Sequence, residues 1–590
     1  MADRWEYCDL IMKGGITSGI VYPLAACELA QKYRFRNIGG ASAGAIAAAA
    51  TAAAELGRRR GSTTCYEKLA ALPKQLGRDN FLLSLFRPSR TAAPIFALLI
   101  AGLAKKGRVT SIGRALLVNF GSSVIWGVLF GVVPVLMLAL VRGGPGILYI
   151  LLGLTWVLLG IVGFLVKDVL TTAGAALNEN QLGLCSGFDP NSRPGEAPLI
   201  NWLASFLDEL AEQPAGKPLT FGDLQSAPAM PGEPPLEGSA INLEVMTTNL
   251  THGRPYRIPF DSRVFYFDPM EWTALFGRDL VNWLVEHTEG DEEIATAQSG
   301  RQILPLPEMP DLPVVIAVRM SLSFPVLISA VPLYAVDRTR TRKPAVAERC
   351  WFSDGGITSN LPIHFFDSPL PRWPTFAINL KGPHPDYPEE KDFVWLPGNN
   401  NAGLHESWNR FDENQGWSKI IGFIGAILDT MHNWRDHIQF RTPGYRDRIV
   451  HISLNENEGG LNLNMPDHLI QTVSKRGQRA GQVLLTNFSL ENHLWVRYRS
   501  IMDMLARTVK KFGSNYANPL PADEHVWSIL KGESAGEPPS YKFKSAAQKE
   551  FAVRETRKLA EVGEEWSGSK ESFENGAPKP TPELRITPRF

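Results

Sequence analysis

Two long runs without a charge constrain the fold of this chain more than any other part of its sequence. One covers Ala115–Val141, the other covers Gly143–Val166, and only Arg142 lies between them. A helix needs about 20 apolar residues to cross the ~30 Å hydrocarbon core of a bilayer, so each run is long enough. We therefore expect a two-helix transmembrane hairpin at residues 115–166. The alternative is a buried hairpin in a large soluble core.

The residues around these runs predict how the hairpin is arranged. The segment Arg142–Gly146 is rich in Gly and Pro, which predicts a turn between two antiparallel helices. Gly127 and Gly131 form a GxxxG pattern, which lets two helices approach closely. Cations flank both outer ends, and this predicts that those ends lie on the cytoplasmic side of a membrane. The cations are Lys105, Lys106, Arg108, Arg114 and Lys167.

Outside the hairpin, short apolar strands alternate with helices, which predicts an α/β fold with a mainly parallel sheet flanked by helices. The expected strands are Tyr7–Met12, one that ends at Arg36–Ile38, Ile241–Thr247, Val314–Val318, Phe376–Leu380 and Ile449–Leu454. The expected helices are Ile20–Lys32, Ala43–Leu56, Leu199–Leu210 and Ser545–Trp566.

The length of 590 residues exceeds the ~100–200 residues of one ordinary domain, so we divide the chain into four parts. Residues 1–114 and 167–530 form the two parts of the α/β core, and residues 115–166 form the hairpin between them. Residues 531–590 form a charged tail, in which Ser567–Phe590 is expected to be disordered. The apolar segment Phe81–Leu103 is too short to span a membrane and suits either a membrane interface or the core.

Charge and cysteine content exclude several classes of function. Lys and Arg together number 60, as do Asp and Glu, so no basic surplus favours nucleic acid as a partner. The five cysteines show no CxxC pair, which argues against a disulfide framework or a zinc site and suits a reducing compartment. The acidic start of the chain does not have the pattern of a signal peptide, so we expect a cytoplasmic location for this part.

A candidate nucleophile lies at Ser42, within the sequence Gly40-Ala-Ser-Ala-Gly44 between a predicted strand and a predicted helix. In a G-x-S-x-G of this kind the serine occupies a sharp turn that only small neighbours tolerate. The positive end of the following helix also favours a developing anion there. The alternative interpretation is a Gly-rich turn with a serine that caps the helix.

Two further glycine turns supply what such a serine needs. Lys13–Gly19 follows the first predicted strand, and its glycines leave backbone N–H groups accessible for an oxyanion hole. A dinucleotide-binding loop would need G-x-G-x-x-G, which is absent from this segment. A serine hydroxyl also needs a base, and Asp354, followed by Gly355 and Gly356, ends a strand-like stretch. Taken alone, this Asp-Gly-Gly is more often an ordinary turn.

The three elements together resemble the patatin-like phospholipase family. They occur in that family's order: a Gly-Gly turn after the first strand, G-x-S-x-G after the second, and a late Asp-Gly-Gly. The resemblance extends over roughly Tyr7–Phe488, interrupted by the hairpin. Three further patches fit it, namely Pro218–Leu224, Thr247–Gly253 and Ala317–Pro325.

This resemblance implies a patatin-like three-layer fold and a Ser–Asp dyad, with Ser42 as nucleophile and Asp354 as its base. It implies an oxyanion hole from the backbone of Gly14, Gly15 and Ile16, and no metal or organic cofactor. The supporting glycines of the motifs are Gly40, Gly44, Gly355 and Gly356. The chain departs from the family's Gly-Gly-Gly-x-Arg-Gly pattern, because Ile16 replaces the third Gly and Ser18 replaces the Arg.

A Ser–His–Asp triad is the alternative to the dyad. His364, His451 and His468 follow Asp354 in the order of an α/β-hydrolase triad, but none lies in a small, Gly-rich setting. We therefore expect a membrane-anchored hydrolase of lipid acyl esters, of phospholipase A or lysophospholipase type. Its expected partners are a lipid ester and the bilayer. The alternatives are a lipid transacylase and a catalytically weak membrane scaffold or regulatory protein.

Overall fold

A large mixed sheet forms the centre of the protein. The computed structural model describes residues 6–15, 17–78, 80–103, 108–142, 147–192, 198–233, 238–288, 294–295, 301–339, 346–384, 386–397, 415–455, 457–460, 462–534 and 536–584. Its strands are β1 (Glu6–Met12), β2 (Tyr33–Ala41), β3 (Gly183–Cys185), β4 (Asn242–Asn249), β5 (Arg254–Ile258), β6 (Tyr266–Phe267), β7 (Ile294–Ala295), β8 (Gln302–Pro305), β9 (Val326–Ile328), β10 (Val331–Val336), β11 (Ala347–Asp354), β12 (Thr375–Lys381), β13 (Val394–Trp395) and β14 (Ile449–Ser453).

The sheet is parallel at its centre and antiparallel at its edges. Its order is β13-β14-β12-β1-β2-β4-β11-β10-β6-β8-β7, with β5 paired to β4. The five strands from β14 to β4 run parallel, whereas β11 and β10 run antiparallel to their neighbours. β3 and β9 form a separate parallel pair. The α/β class expected from the sequence is therefore confirmed, and the sheet is mixed.

Helices cover the sheet and extend away from it. The helices are α1 (Tyr22–Ala30), α2 (Ala43–Arg59), α3 (Cys65–Leu76), α4 (Phe81–Ser84), α5 (Ala93–Leu103), α6 (Arg108–Arg142), α7 (Ile147–Glu179), α8 (Leu199–Leu210), α9 (Phe221–Gln225), α10 (Pro269–Phe276), α11 (Arg278–Glu286), α12 (Val314–Ser321), α13 (Gly416–Arg441), α14 (Asp467–Asn487), α15 (Leu490–Ala517), α16 (Glu524–Lys531) and α17 (Ala546–Gly568). Helix α2 packs against β1, β2 and β4. Its run of alanines is small enough to be buried among them on nearly all sides.

One predicted strand is wrong. Val314–Val318, expected to be a strand because of its β-branched residues, is the first part of helix α12. Pro313 occupies the N-cap position with extended backbone, and every residue of the helix is buried. A short helix that is buried on all sides shows no polar face, so its sequence has the same apolar run as a buried strand.

Helices α6 and α7 form the hairpin expected from the two uncharged runs. Each contains a stretch that is long and apolar enough to cross a membrane. They pack closely at Gly127 and Gly131, where an added Cβ would lie 2.5 Å from the Ile161 Cα and 2.3 Å from the Val157 Cα. The predicted turn at 143–146 lies outside the described residues, as do Lys105 and Lys106. The GxxxG prediction is thus confirmed as a helix contact.

The expectation of a disordered tail is wrong for residues 567–584. Helix α17 packs along α15, and an added Cβ at Gly563 would lie 2.5 Å from the Val509 carbonyl oxygen. The segment after α17 then returns to α15, where Lys579 and Thr581 donate to the buried Asp503 carboxylate at 3.4 and 3.1 Å. Buried polar groups and close helix contact therefore order a sequence whose composition alone indicated disorder.

Candidate active site

Ser42 lies at the sharp turn between β2 and α2. Its backbone has φ +55° and ψ −131°, a conformation that a residue with a side chain rarely adopts. Such strain persists only where the surroundings enforce it, and it is concentrated at functional sites. The Ser42 N–H donates to the Ser321 Oγ at 3.0 Å, and the residue is buried.

The glycines on both sides of Ser42 are required by close backbone contacts. A Cβ at Gly40 would lie 2.5 Å from the Gly44 carbonyl, and one at Gly44 would lie 2.3 Å from the Met12 carbonyl oxygen. The start of α2 therefore sits directly against the end of β1. These contacts fix the turn in the geometry that the G-x-S-x-G pattern predicts.

Strand register brings Asp354 to the same place. Ala41 of β2 pairs with Met246 of β4, and Thr247, the next residue of β4, pairs with Asp354 at the end of β11. One strand thus separates the two backbones, a distance of roughly 10 Å that two side chains can bridge. The Ser42 side chain lies close enough to the Asp354 carboxyl group to influence its pKa. The two residues predicted from the sequence therefore lie close together in the fold, although they are 312 positions apart in the chain.

The Asp354 carboxyl group is strongly perturbed. Burial raises its pKa to about 7, although the nearby Ser42 hydroxyl and the hydrogen bond from the Gly356 N–H act to lower it. The Gly356 N–H donates to Oδ1 at 2.7 Å. The other oxygen, Oδ2, has no partner with full hydrogen-bond geometry among the described residues. A carboxylate with an unsatisfied oxygen beside a hydroxyl is suited to accept a proton.

Gly355 and Gly356 let the Asp354 turn fit against its neighbours. A Cβ at Gly355 would lie 2.1 Å from the Met246 carbonyl oxygen, and one at Gly356 would lie 2.9 Å from the Asp354 Oδ1. The Asp-Gly-Gly sequence is therefore not an exposed ordinary turn, because Asp354 and Gly355 are buried.

The glycine loop lies beside Ser42, but it does not offer all three predicted donors. A Cβ at Gly14 would lie 2.9 Å from the Ser42 Cβ. The Gly14 N–H, however, already donates to the Asn360 carbonyl at 2.9 Å, which corrects its assignment as a free oxyanion donor. Ile16 lies outside the described residues. Gly15, with φ +152°, is the remaining donor of the predicted set, and its N–H has no acceptor among the described residues.

The end of α12 and the loop after it accept hydrogen bonds from the backbone of both Ser42 and Asp354. This contact was not predicted from the sequence. Ser321 accepts from the Ser42 N–H, and the Ser323 carbonyl accepts from the Asp354 N–H at 3.0 Å. Arg319 is fully buried and supports this loop by donating to the Ser323 Oγ at 2.7 Å. The sequence signal was available, since all three residues lie in the Ala317–Pro325 patch, but that patch was used only as support for the family resemblance.

Asp436 of α13 is a second residue that the sequence did not reveal. Its buried carboxylate accepts from the Ser359 hydroxyl at 3.1 Å and from the N–H groups of Asn360 and Leu361 at 3.0 and 2.9 Å. The Asn360 carbonyl in turn holds Gly14. Helix α13 is thereby fixed to the two loops that flank Ser42, and no local motif marks this contact.

The three histidines considered for a triad lie in other settings. Burial lowers the pKa of His364 to about 4, so this imidazole stays neutral. His451 is buried and lies within 3.0 Å of the Asn379 amide, while His468 is exposed. Among the described residues, no hydrogen bond joins any of the three to Ser42 or Asp354.

An apolar cavity begins beside the serine. It has a volume of about 70 Å³, and Gly19 and Ala43 line the end nearest Ser42. Its walls continue through Leu69, Leu82, Phe86 and Trp202. Leu82 and Phe86 are buried, so the first part of the Phe81–Leu103 segment belongs to the core. The cavity is therefore an apolar space beside Ala43, the residue that follows Ser42.

These features define a mixed α/β protein with two span-length helices and a strained serine beside a buried carboxyl group. The chain is 39% identical to the RpoH suppressor of Rhizobium meliloti (strain 1021), over 99% of each sequence. It therefore belongs to the family of that protein. No family model matches the chain. A solved structure, that of VipD from Legionella pneumophila, covers 95% of this chain and 86% of its own at 13% identity, with a TM-score of 0.28.

Proposed function

We propose that this protein is a serine-dependent lipid acyl hydrolase of the phospholipase A or lysophospholipase type, with a patatin-like three-layer fold. The observation that carries the proposal is the strained Ser42 turn within hydrogen-bond reach of the buried Asp354. A strained turn without a base would suit a scaffold, and an exposed carboxylate would be a weak base. The two features together favour nucleophilic catalysis.

In the proposed reaction, ionised Asp354 takes the proton of the Ser42 hydroxyl as its oxygen attacks the ester carbonyl carbon. The Gly15 N–H and the N-terminus of α2 stabilise the oxyanion that develops. When the C–O bond of the ester breaks, the proton passes from Asp354 to the leaving alcohol. Water, deprotonated by the same carboxylate, then attacks the acyl-enzyme. The fatty acid leaves, and Ser42 regains its proton.

The apolar cavity is the proposed site for the fatty acyl chain. Its walls are almost wholly aliphatic and aromatic, and it starts at Ala43, the residue that follows the nucleophile. Transfer of an acyl chain into such a space is favourable by ~0.8 kcal/mol per buried CH₂ relative to water. A substrate with a long acyl chain is therefore expected to bind more tightly than an acetyl ester.

The hairpin is proposed to anchor the enzyme as a multi-pass membrane protein with the catalytic part on the cytoplasmic side. Both helices expose large apolar side chains, for example Trp126 and Leu154, which are 61% and 62% exposed. Monomeric soluble proteins rarely expose patches of this kind. Anchoring would hold the cleft next to its lipid substrate and raise the effective concentration of that substrate.

A fluorophosphonate probe applied to the full-length protein tests the nucleophile. We expect labelling of the wild type and of Ser205→Ala, an exposed serine on α8, but not of Ser42→Ala. Labelling that persists in Ser42→Ala would identify another nucleophile. No labelling of the folded wild type would instead favour the scaffold alternative.

Products released from mixed phospholipid vesicles then test the reaction class. Mass spectrometry should detect free fatty acid and the matching lysolipid, both of which disappear with Ser42→Ala. Acyl transfer to a second lipid without free fatty acid would favour the transacylase alternative.

A further inference from the structure

Helix α13 exposes a row of large apolar side chains that nothing in the described chain covers. They are between 45% and 68% exposed, which is unusual for aliphatic residues of a helix. We call this set the α13 stripe. It consists of Ile420, Ile421, Ile424, Ile427, Met431, Trp434 and Ile438.

The spacing of the stripe residues along the sequence places them on one side of α13. Six of its members, from Ile420 to Ile438, recur at intervals of four and three residues and lie along one side of the helix, and Ile421 lies beside them. At 1.5 Å per residue the stripe is about 27 Å long. It contains no charged residue, and Lys419 and Arg441 lie at its two ends. This pattern is typical of a helix that rests in an interface between water and hydrocarbon.

The helix is fixed at its C-terminal end and projects at its N-terminal end. Phe440 is buried in a small cluster with Ile363 and Ile449, and Asp436 is held by the 359–361 loop. Toward the other end, a Cβ added at Gly425 would meet nothing within 4 Å. The stripe thus extends from the loops beside Ser42 into open space.

We infer that the α13 stripe inserts into the surface of a lipid bilayer and sets the position of the cleft relative to it. A bilayer is the partner we choose because α6 and α7, which also expose apolar side chains, are long and apolar enough to cross one. The helix has five Asp, Lys or Arg residues among 26, so it suits an interfacial rather than a spanning position. Through Asp436, its depth in the lipid would fix the height of the loops that flank Ser42.

Lipid contact is tested with the full-length protein in vesicles of phosphatidylcholine and phosphatidylglycerol that contain spin-labelled lipid. An environment-sensitive fluorophore is attached at Ile424→Cys, at Leu154→Cys in the hairpin, or at the exposed Lys570→Cys. Four of the five native cysteines are buried and the fifth is partly buried, so the unsubstituted protein serves as the labelling blank. We expect blue-shifted, lipid-quenched emission at positions 424 and 154 and neither effect at position 570.

Water-like emission at position 424 together with quenching at position 154 would overturn the inference. A blue shift at 424 without lipid quenching, accompanied by cross-linking between labelled copies, would also overturn it, because a second copy of this chain would then cover the stripe. Neither outcome depends on catalysis, so this experiment holds even if the proposed function fails.

The consequence for catalysis rests on the proposed function. The double variant Ile424→Asp/Ile427→Asp should lower hydrolysis of vesicle phospholipid about tenfold or more. Two aliphatic side chains that the inference places in the lipid are replaced by charged ones. Hydrolysis of a short soluble ester should stay within about twofold, because neither residue touches the site. The control Ile424→Leu/Ile427→Leu should match the wild type on both substrates. Equal losses on both substrates would mean that the stripe supports folding instead.

Discussion

The turn around Ser42 and the α6–α7 hairpin are both built on glycines that let two backbones touch, yet they differ in what surrounds the contact. At Gly44 the neighbour is the Met12 carbonyl of the central sheet, and at Gly131 it is the Val157 backbone of the partner helix. The first contact lies inside a core where hydroxyl, carboxyl and amide groups bond to one another. The second lies between helices whose outer residues are apolar and exposed.

The two glycine contacts therefore have different consequences. The contact at Ser42 places a hydroxyl beside a carboxyl group, whereas the contact in the hairpin only brings two helices close together. Around Ser42 the contact leaves a strained residue and an unsatisfied carboxylate oxygen, both of which cost folding free energy and are typically retained at functional sites. In the hairpin it permits close packing of two helices that are long and apolar enough to cross a membrane. The comparison predicts that the two regions fail in different ways when altered.

The largest effect is expected from Asp354→Asn. An amide cannot accept the proton of Ser42, so turnover of a soluble ester should fall by about 10⁴-fold. The substitution keeps the size of the side chain, and circular dichroism should show an unchanged fold. The measurement is steady-state hydrolysis by purified full-length protein. Preserved turnover, combined with loss in His364→Ala or His451→Ala, would replace the dyad with a histidine-dependent mechanism.

A large but substrate-specific effect is expected when residues 121–166 are deleted. Release of phospholipid products from vesicles should fall by about 10- to 100-fold, because the enzyme loses its effective concentration at the membrane. Hydrolysis of a soluble ester should remain close to that of the full-length protein. An equal loss on both substrates would mean that the hairpin belongs to the folding core and would remove the distinction between the two regions.

Alanine at two glycines should separate a position with a close backbone contact, at Gly44, from an open position in the hairpin, at Gly163. Gly44→Ala places a Cβ against a carbonyl fixed in the sheet, and such overpacking costs about 1–3 kcal/mol of unfolding free energy. Gly163→Ala, where nothing lies within 4 Å, should change stability by less than about 0.5 kcal/mol. The midpoint of thermal unfolding in detergent compares the variants. A larger loss for Gly163→Ala would show that helix contacts outside the described residues matter more than the nucleophile turn.

Local motifs made the reactive pair predictable, whereas their supports were not. Ser42 and Asp354 each lie in a glycine turn whose backbone demands are visible in five residues or fewer. Asp436 acts on residues 75 to 77 positions earlier in the chain, and a carboxylate in the middle of a helix carries no sign of such a contact. Residue type alone also could not show that the Gly14 N–H is already occupied.

The difference between local sequence patterns and tertiary contacts also explains the errors in the predicted secondary structure. The two hairpin helices were predictable because their length and apolarity are both visible in the sequence. Val314–Val318 was not, because burial on every side removes the periodicity that separates a helix from a strand. The order of residues 567–584 depends on tertiary contacts with α15, which composition does not record.

The smallest effect is a pH dependence that should belong to the catalytic region alone. The proposed base, Asp354, must be ionised to act, and its pKa of about 7 predicts a rise in rate of roughly tenfold between pH 6 and pH 8. Because this pKa is raised above that of the unfolded chain, the folded state loses stability as the pH rises from about 4 through about 7. Asp354→Asn should therefore raise the midpoint of thermal unfolding at pH 8 but not at pH 4. Deletion of residues 121–166 should shift neither profile, and a shift in both would show that the hairpin and the buried carboxyl group are coupled.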